Sequence, residues 1–360
     1  MDKRKEVIDA YLQFYKRHNY PVAPEEELLV FCDPSLEFRN CTICRFKERY
    51  ITGSKFESYV SSQKCIRINN FKDIHSEDER CYRWSANLTM LGGFQTITND
   101  KCISDTIFEN IQLQKKFLLS ILPPDKYIEV FILKDLLQRD YIKYNQIFQL
   151  ESERVKVKVV SNEQYPLTWK YDLDGIRGLG TEWIVRDIND DDNEVIFGDV
   201  ILLLNKDNPI GIDFGGGLEV LLQSIEKTKY KIFHNDYSKG EIKILLQTSL
   251  DHCKLIDSLS VIVDISYYMI KSELTQKTKF VFNQYLKAAV VLIEKLEIYP
   301  SILHRVICDI IKERQYIGVS EIILYFIKCE LKLYREYLLL RTLPNKYSTG
   351  LENSFANWKG

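Results

Sequence analysis

Apolar and polar positions change period several times along this chain, and each change predicts an element. The opening MDKRKEVIDAYLQFYKR is patterned as an amphipathic charged helix over about residues 3 to 18. Irregular chain and short strands are expected from there to about residue 100. Strand signals rise at 64 to 69 and 88 to 98, an antiparallel pair joined by the charged loop FKDIHSEDER. A helix over about 105 to 120 stops before Pro123-Pro124, YIEVFIL reads as a strand, and a further helix is expected from Leu136 to Ile147. VKVKVV, TEWIVRDI and EVIFGDVILLLN alternate or run apolar like strands of one large sheet, with DINDDDN as an acidic turn between the last two. Beyond about Tyr237 the 3.6-residue period predicts helices alone. The pattern therefore divides the chain into an α+β domain over 1–237, an all-helical domain over 238–345, and a tail over 346–360 of disordered composition.

One segment carries candidate chemistry. In IGIDFGGGLEVLLQSI a buried-strand run enters a glycine-spaced turn and leaves as an apolar-periodic helix. Asp213, Gly215, Gly217 and Glu219 fall at alternate positions and are expected to share one strand face, two carboxylates beside a backbone stripped of Cβ atoms. A small-molecule site is the functional reading; a tight strand-to-helix packing turn is the structural one. No acidic residue follows a second strand at the spacing a dinucleotide fold requires.

Composition narrows the classes. A length of 360 residues suffices for one large core and a smaller second domain, and 45% hydrophobic with 28% charged residues describes a globular chain. A net charge of -2 argues against a protein that coats nucleic acid. Nine cysteines without framework spacing point to a reducing compartment, and neither a signal-peptide core nor a membrane-length apolar run is visible, so a cytoplasmic protein is expected. Cys41-x-x-Cys44 has metal-like spacing but lacks a second pair, and structural cysteines are the expectation; Cys65 as a reactive thiol is a weaker alternative. The acidic DINDDDN lacks the spacing and glycine of a calcium loop.

Five blocks in order resemble class II aminoacyl-tRNA synthetases, specifically the alanyl-tRNA synthetase family. D-x-G-x-G-x-E from Asp213 resembles the third signature motif; FYKRHNYPVAP and DPSLEFRNCTICRFKERYITG resemble the opening helix and first motif. SSQKCIR ending at Arg67 and Met90-Leu91-Gly92 resemble the two halves of the second motif, with Arg83 on another family arginine. TWKYDLDGIRGLGTEW is similar to the family's tryptophan and glycine loop, matching at Trp169, Gly175, Gly178, Thr181 and Glu182. The resemblance is clear over roughly 8 to 225 and weak over 245 to 335. It implies an α+β fold, an antiparallel sheet flanked by helices and followed by an all-helical domain.

It also implies ATP-dependent activation of a small amino acid, with ATP and Mg²⁺ as cofactors. Arg67 would be the catalytic cation on the α-phosphate and carboxylate, since a guanidinium meets both bidentately while negative charge grows in the transition state. ATP would be held by Arg67, Arg83, Phe94, Gly217 and Glu219, with Phe94 as a compensating adenine stack and Glu219 as an acceptor for hydrated Mg²⁺. The amino acid would meet Trp169, Gly178, Glu182, Asp199, Asp213 and Gly215, with Asp213 on its ammonium; no protein-bound metal site is expected.

Departures from the family pattern shape the rest. Val220 stands where the third motif carries its ATP-clamping arginine, Thr89 replaces a glutamate, Asn87-Leu88 replace an aromatic pair, and Gly198 replaces a substrate-touching asparagine beside Asp199. In the helical domain Asn283, Gln284 and Ala288 occupy arginine positions that meet the tRNA acceptor stem, leaving Lys287. No counterpart of the family's editing or C-terminal domains is seen in these residues. The favoured reading is an adenylate-forming ligase whose acceptor is a carrier-protein thiol, an amine or a peptide rather than ordinary tRNA. A minimal alanine-tRNA ligase and a non-catalytic amino-acid-binding paralogue stay open.

Overall fold

The computed structural model describes residues 2–30, 36–68, 71, 74, 76, 85–98, 102–188 and 190–341. Arg83, most of the FKDIHSEDER loop and the tail from 346 lie outside them. The chain forms two compact units, one of residues 1–65 and 88–229 and the other of 66–87 and 230–360. The second therefore takes in a stretch from between two strands of the sheet, which no helical period marks.

The first unit opens with α1 (Lys3–Arg17), whose N-cap Asp2 accepts from the Arg4 N–H at 3.1 Å and whose Val7, Tyr11 and Tyr15 face inward. Next come α2 (Cys44–Thr52), β1 (Tyr59–Ile66), β2 (Asn87–Thr96), α3 (Ile103–Ile121) and β3 (Lys126–Leu133). The helix expected over 136 to 147 is two short ones, α4 (Lys134–Gln138) and α5 (Tyr144–Leu150), parted by a turn in which Asp140 takes φ +54°. Then follow β4 (Val155–Val160), β5 (Thr168–Lys170), β6 (Ile176–Asp187), β7 (Asp190–Asn205), β8 (Asn208–Gly217) and α6 (Leu218–Glu226).

The strands build one eight-stranded sheet in the order β1-β2-β8-β7-β6-β3-β4, with β5 on β6. Where registers are resolved the pairing is antiparallel, except that β3 and β4 run parallel, so the sheet is mixed rather than wholly antiparallel. One face buries Leu91, Val130, Leu179, Trp183, Val200, Leu202 and Phe214 under the side chains of α1, α3 and α6. The opposite face carries a smaller cluster of Ile43, Phe46, Tyr59, Phe94, Tyr171, Ile176, Ile201 and Leu203. Strand alternation separates the two clusters, and the second face holds the candidate site.

In the second unit α7 (Gly240–Leu246), α8 (Leu250–Lys271), α9 (Gln276–Lys295), α10 (Pro300–Arg314) and α11 (Ser320–Arg341) follow a 3-10 turn at Lys231–His234. Ser249 and Thr275 cap α8 and α9 by accepting the N–H groups of His252 and Thr278, and Pro300 starts α10. Most of α8 is buried, including Asp257 and Asp264. Asp257 accepts the Ala86 N–H at 3.0 Å, and Asp264 accepts the Tyr316 hydroxyl at 2.9 Å and pairs with Arg314 at 3.2 Å, so these interior charges have partners. Among the described residues no helix is long and apolar enough to cross a membrane.

Candidate active site

Cross-strand register gathers the amino-acid candidates on one face. Asp213 stands between Phe94 of β2 and Ile201 of β7; two positions along, Gly215 lies between Gly92 and Asp199, and Asp199 in turn faces Glu182 of β6. Gly178 continues that face opposite Trp169 of β5. A Cβ on Gly178 would lie 2.5 Å from Ile201 Cγ2, 3.1 Å from the Tyr171 ring and 3.3 Å from Trp169 Cβ, so its absence makes room first for Ile201 and then for the two aromatics. Trp169, Gly178, Glu182, Asp199, Asp213 and Gly215 thus occupy one patch of the sheet.

Asp213 is its electrostatic centre. The Tyr171 hydroxyl donates to Asp213 Oδ2 at 3.3 Å, and burial pushes the carboxyl up to about 7. Burial likewise drives the Tyr171 phenol far above its ordinary value, with the Asp213 charge adding to the effect. Near neutrality this carboxyl can hold or release a proton, and it offers an ammonium ion a partner in a place where water is scarce. Glu182 accepts the Tyr165 hydroxyl, and burial raises its pKa as well.

The glycines act differently from the expectation. Gly215 has φ +142°, and a Cβ there would overlap the Leu91 carbonyl oxygen and approach Gly92 Cα to 2.5 Å. A Cβ on Gly198 would likewise collide with the Gly215 carbonyl and lie 2.5 Å from Gly216 Cα. What approaches the bare backbone is the neighbouring strand, not a ligand. Gly198 is accordingly a packing residue between β7 and β8.

The ATP candidates depart further. Glu219 does not continue the strand face, because β8 ends at Gly217, the N-cap of α6, and Glu219 lies in the first helical turn. Only 1% exposed, its carboxylate pairs with Arg4 Nη1 at 2.6 Å and accepts the Thr89 N–H at 2.8 and 3.0 Å. Arg4 also donates to the Thr89 hydroxyl, so Thr89 at its shortened position completes a clamp. That acceptor is spent, and hydrated Mg²⁺ does not fit it. Among the described residues no group of three or more His, Cys, Asp or Glu could hold a metal ion. Phe94, 1% exposed, is enclosed by Phe46 at 5.0 Å, Phe56 at 6.3 Å and Tyr59 at 6.4 Å, so its ring serves the core and presents no face to a purine. Arg67 lies one residue beyond β1, in the second unit, with its N–H on the Ala86 carbonyl at 2.9 Å.

Several contacts of the candidate residues escape a reading of the sequence alone. Tyr171 sits inside the glycine-bearing block at 168–183, and its pairing with Asp213 across 42 positions leaves no local signal. Arg4 is 215 positions from Glu219. Cys41 and Cys44 place their sulfurs 3.7 Å apart, and Cys41 packs against the Phe94 and Tyr171 cluster.

Comparison with known proteins finds partial similarities. Over about a quarter to a third of its length the chain is similar to alanine–tRNA ligases. Its curated relatives are alanine–tRNA ligases: that of Ehrlichia ruminantium is 26% identical over 115 residues, 30% of this chain and 13% of that protein, and the mitochondrial one of Dictyostelium discoideum is 30% identical over 93 residues, 25% and 10%. The chain thus matches only about a tenth of those relatives' length. Among solved structures, apo histidyl-tRNA synthetase of S. aureus superposes with a TM-score of 0.40 and 14% identity, covering 62% of this chain and 66% of that one. No protein-family profile matches the chain.

Proposed function

We propose that this protein binds a small α-amino acid through Asp213 and activates it with ATP as an aminoacyl adenylate, for an acceptor other than ordinary tRNA. The observation that carries the reading is the Asp213 carboxyl, set on the glycine-bearing strand and aligned with Gly215, Asp199, Glu182, Gly178 and Trp169 on one face. A carboxylate in that setting orients an ammonium group, leaving the substrate carboxylate to attack the α-phosphate. Phosphate contacts by Arg67 and Arg83 are the roles their motif positions imply. ATP would bring its own Mg²⁺, since Glu219 is committed to Arg4.

A second reading, amino-acid binding without catalysis, draws on the commitment of Glu219 and Phe94 and on Val220 in the first turn of α6. Amino-acid-dependent exchange of pyrophosphate into ATP, run across all amino acids with and without tRNA, separates the two. Exchange without tRNA supports adenylation. Silence in the presence of calorimetric amino-acid binding selects the second reading. Within the first, Arg67→Ala should lower exchange about a hundredfold or more while leaving the circular dichroism melt unchanged; full activity in that variant would remove Arg67 from the mechanism.

A further inference from the structure

Chemistry left unused by that function is concentrated in the turn before α2. Cys41 precedes the helix and Cys44 is its first residue, and their sulfurs lie 3.7 Å apart. Asn40 Oδ1 lies within hydrogen-bonding distance of both sulfurs, 3.0 Å from Cys41 and 3.4 Å from Cys44. The turn is pinned from the sheet by the Tyr59 hydroxyl, which donates to the Thr42 carbonyl at 2.9 Å. Two sulfurs held in one turn need approach by less than 2 Å to reach the bonding distance of about 2.05 Å, a movement that side-chain rotation in a four-residue turn can supply.

We propose that Cys41 and Cys44 are a modification site, a dithiol that a hydroperoxide converts reversibly to a disulfide at the edge of the Asp213 face. The Cys44 sulfur, only 1% exposed beside the half-buried Cys41, is the attacking group. Hydrogen bonding from the Cys41 thiol holds its pKa down to about 7 against the cost of burial, and the start of α2 favours the same anion. Cys41 is held higher, so it stays protonated as donor and then acts as the resolving thiol.

The steps balance. The Cys44 thiolate attacks one peroxide oxygen, the O–O bond breaks, and the other oxygen leaves as hydroxide that takes a solvent proton to become water. Cys44 is then a sulfenic acid. The Cys41 sulfur attacks the Cys44 sulfur, the S–O bond breaks, and the departing hydroxide leaves as water with the Cys41 proton. Two electrons pass from the dithiol to the peroxide. The reduced site carries a thiolate that disfavours the Asp213 anion, and the disulfide does not, so oxidation makes Asp213 a readier partner for a cation.

The test uses the full chain, hydrogen peroxide, an alkylating quench and peptide mass spectrometry, and requires no enzymatic activity. The expected result is a Cys41–Cys44 disulfide, two hydrogens lighter and reversed by dithiothreitol. It should form at least tenfold faster than oxidation at the exposed Cys102 and Cys329. Its rate should rise through a midpoint near 7. In Cys41→Ser the reaction should stop at a sulfenic acid trapped by dimedone, with the midpoint moved toward the ordinary thiol range. The wild-type map decides on its own if that variant fails to fold. Oxidation of Cys102 and Cys329 while the pair stays alkylatable overturns the proposal, as does recovery of the pair as a metal thiolate that peroxide leaves intact.

Discussion

One proton on Asp213 ties stability to the proposed amino-acid binding. Its carboxyl moves from 3.8 to about 7 on folding, mainly by burial. The native chain therefore keeps a proton that the unfolded chain has released between about pH 4 and 7, and stability falls as pH rises across that window. Asp213→Asn cannot titrate, so its stability relative to wild type should grow over the same interval and level off above 7, by roughly 1–3 kcal/mol. Urea melts at pH 5 and pH 8 measure the difference, and a constant offset would deny the shift. Ligand binding runs the other way. An ammonium needs the ionised carboxylate, so affinity for an α-amino acid should strengthen toward pH 7 and plateau above it. Asp213→Asn should weaken that ligand far more than its deaminated analogue; calorimetry showing equal losses would leave the residue serving only the turn.

Elements meet at the clamp formed by Arg4 of α1, Thr89 of β2 and Glu219 of α6. Arg4→Met strands a buried carboxylate and should cost about 3–5 kcal/mol in a urea melt, while Arg4→Met combined with Glu219→Leu should recover much of it. Additive losses would show that the pair does not interact. This clamp also shows where the sequence stops being legible. Periodicity gave α1, α3 and β3 to within a few positions, because each buries a repeating stripe, and gave helix alone after residue 238, though α7 and α8 run together in one apolar pattern. The strand-to-helix change after Gly217 was visible, but the register that places Glu219 inside the helix was not, since two-residue and helical spacing coincide over so short a run. The break between α4 and α5 depends on Asp140 at positive φ, which an aspartate permits without announcing. For the site, the quoted motifs located Asp213, Gly178 and Trp169, whereas the contacts that commit Phe94 and Glu219 elsewhere come from residues far along the chain.

At the scale of the whole molecule, the proposed activation needs an acceptor. On α9, Asn283 is exposed while Ala288 is fully buried, so an arginine at 288 would face the helical core rather than a phosphate. With Asn283 and Gln284 at two of the arginine positions, tRNA should bind weakly, without preference and with a shallow dependence on salt. Filter binding with alanine tRNA across a salt series checks this; a tight complex with a steep slope would promote the minimal tRNA ligase. The glycines of the sheet bear on a different matter, the routes open to divergence. Gly92, Gly198, Gly215 and Gly216 sit where any side chain would strike neighbouring backbone or the Thr42 side chain. Mutational drift at those glycines is thereby closed off, and a change of substrate is more readily written at the rim, in the turn at 40–45 and the loop at 171–175. Libraries confined to those two segments should retain folded members far more often than libraries built on the strands, and the ancestry of the chain should be readable in its sheet long after its selectivity has changed.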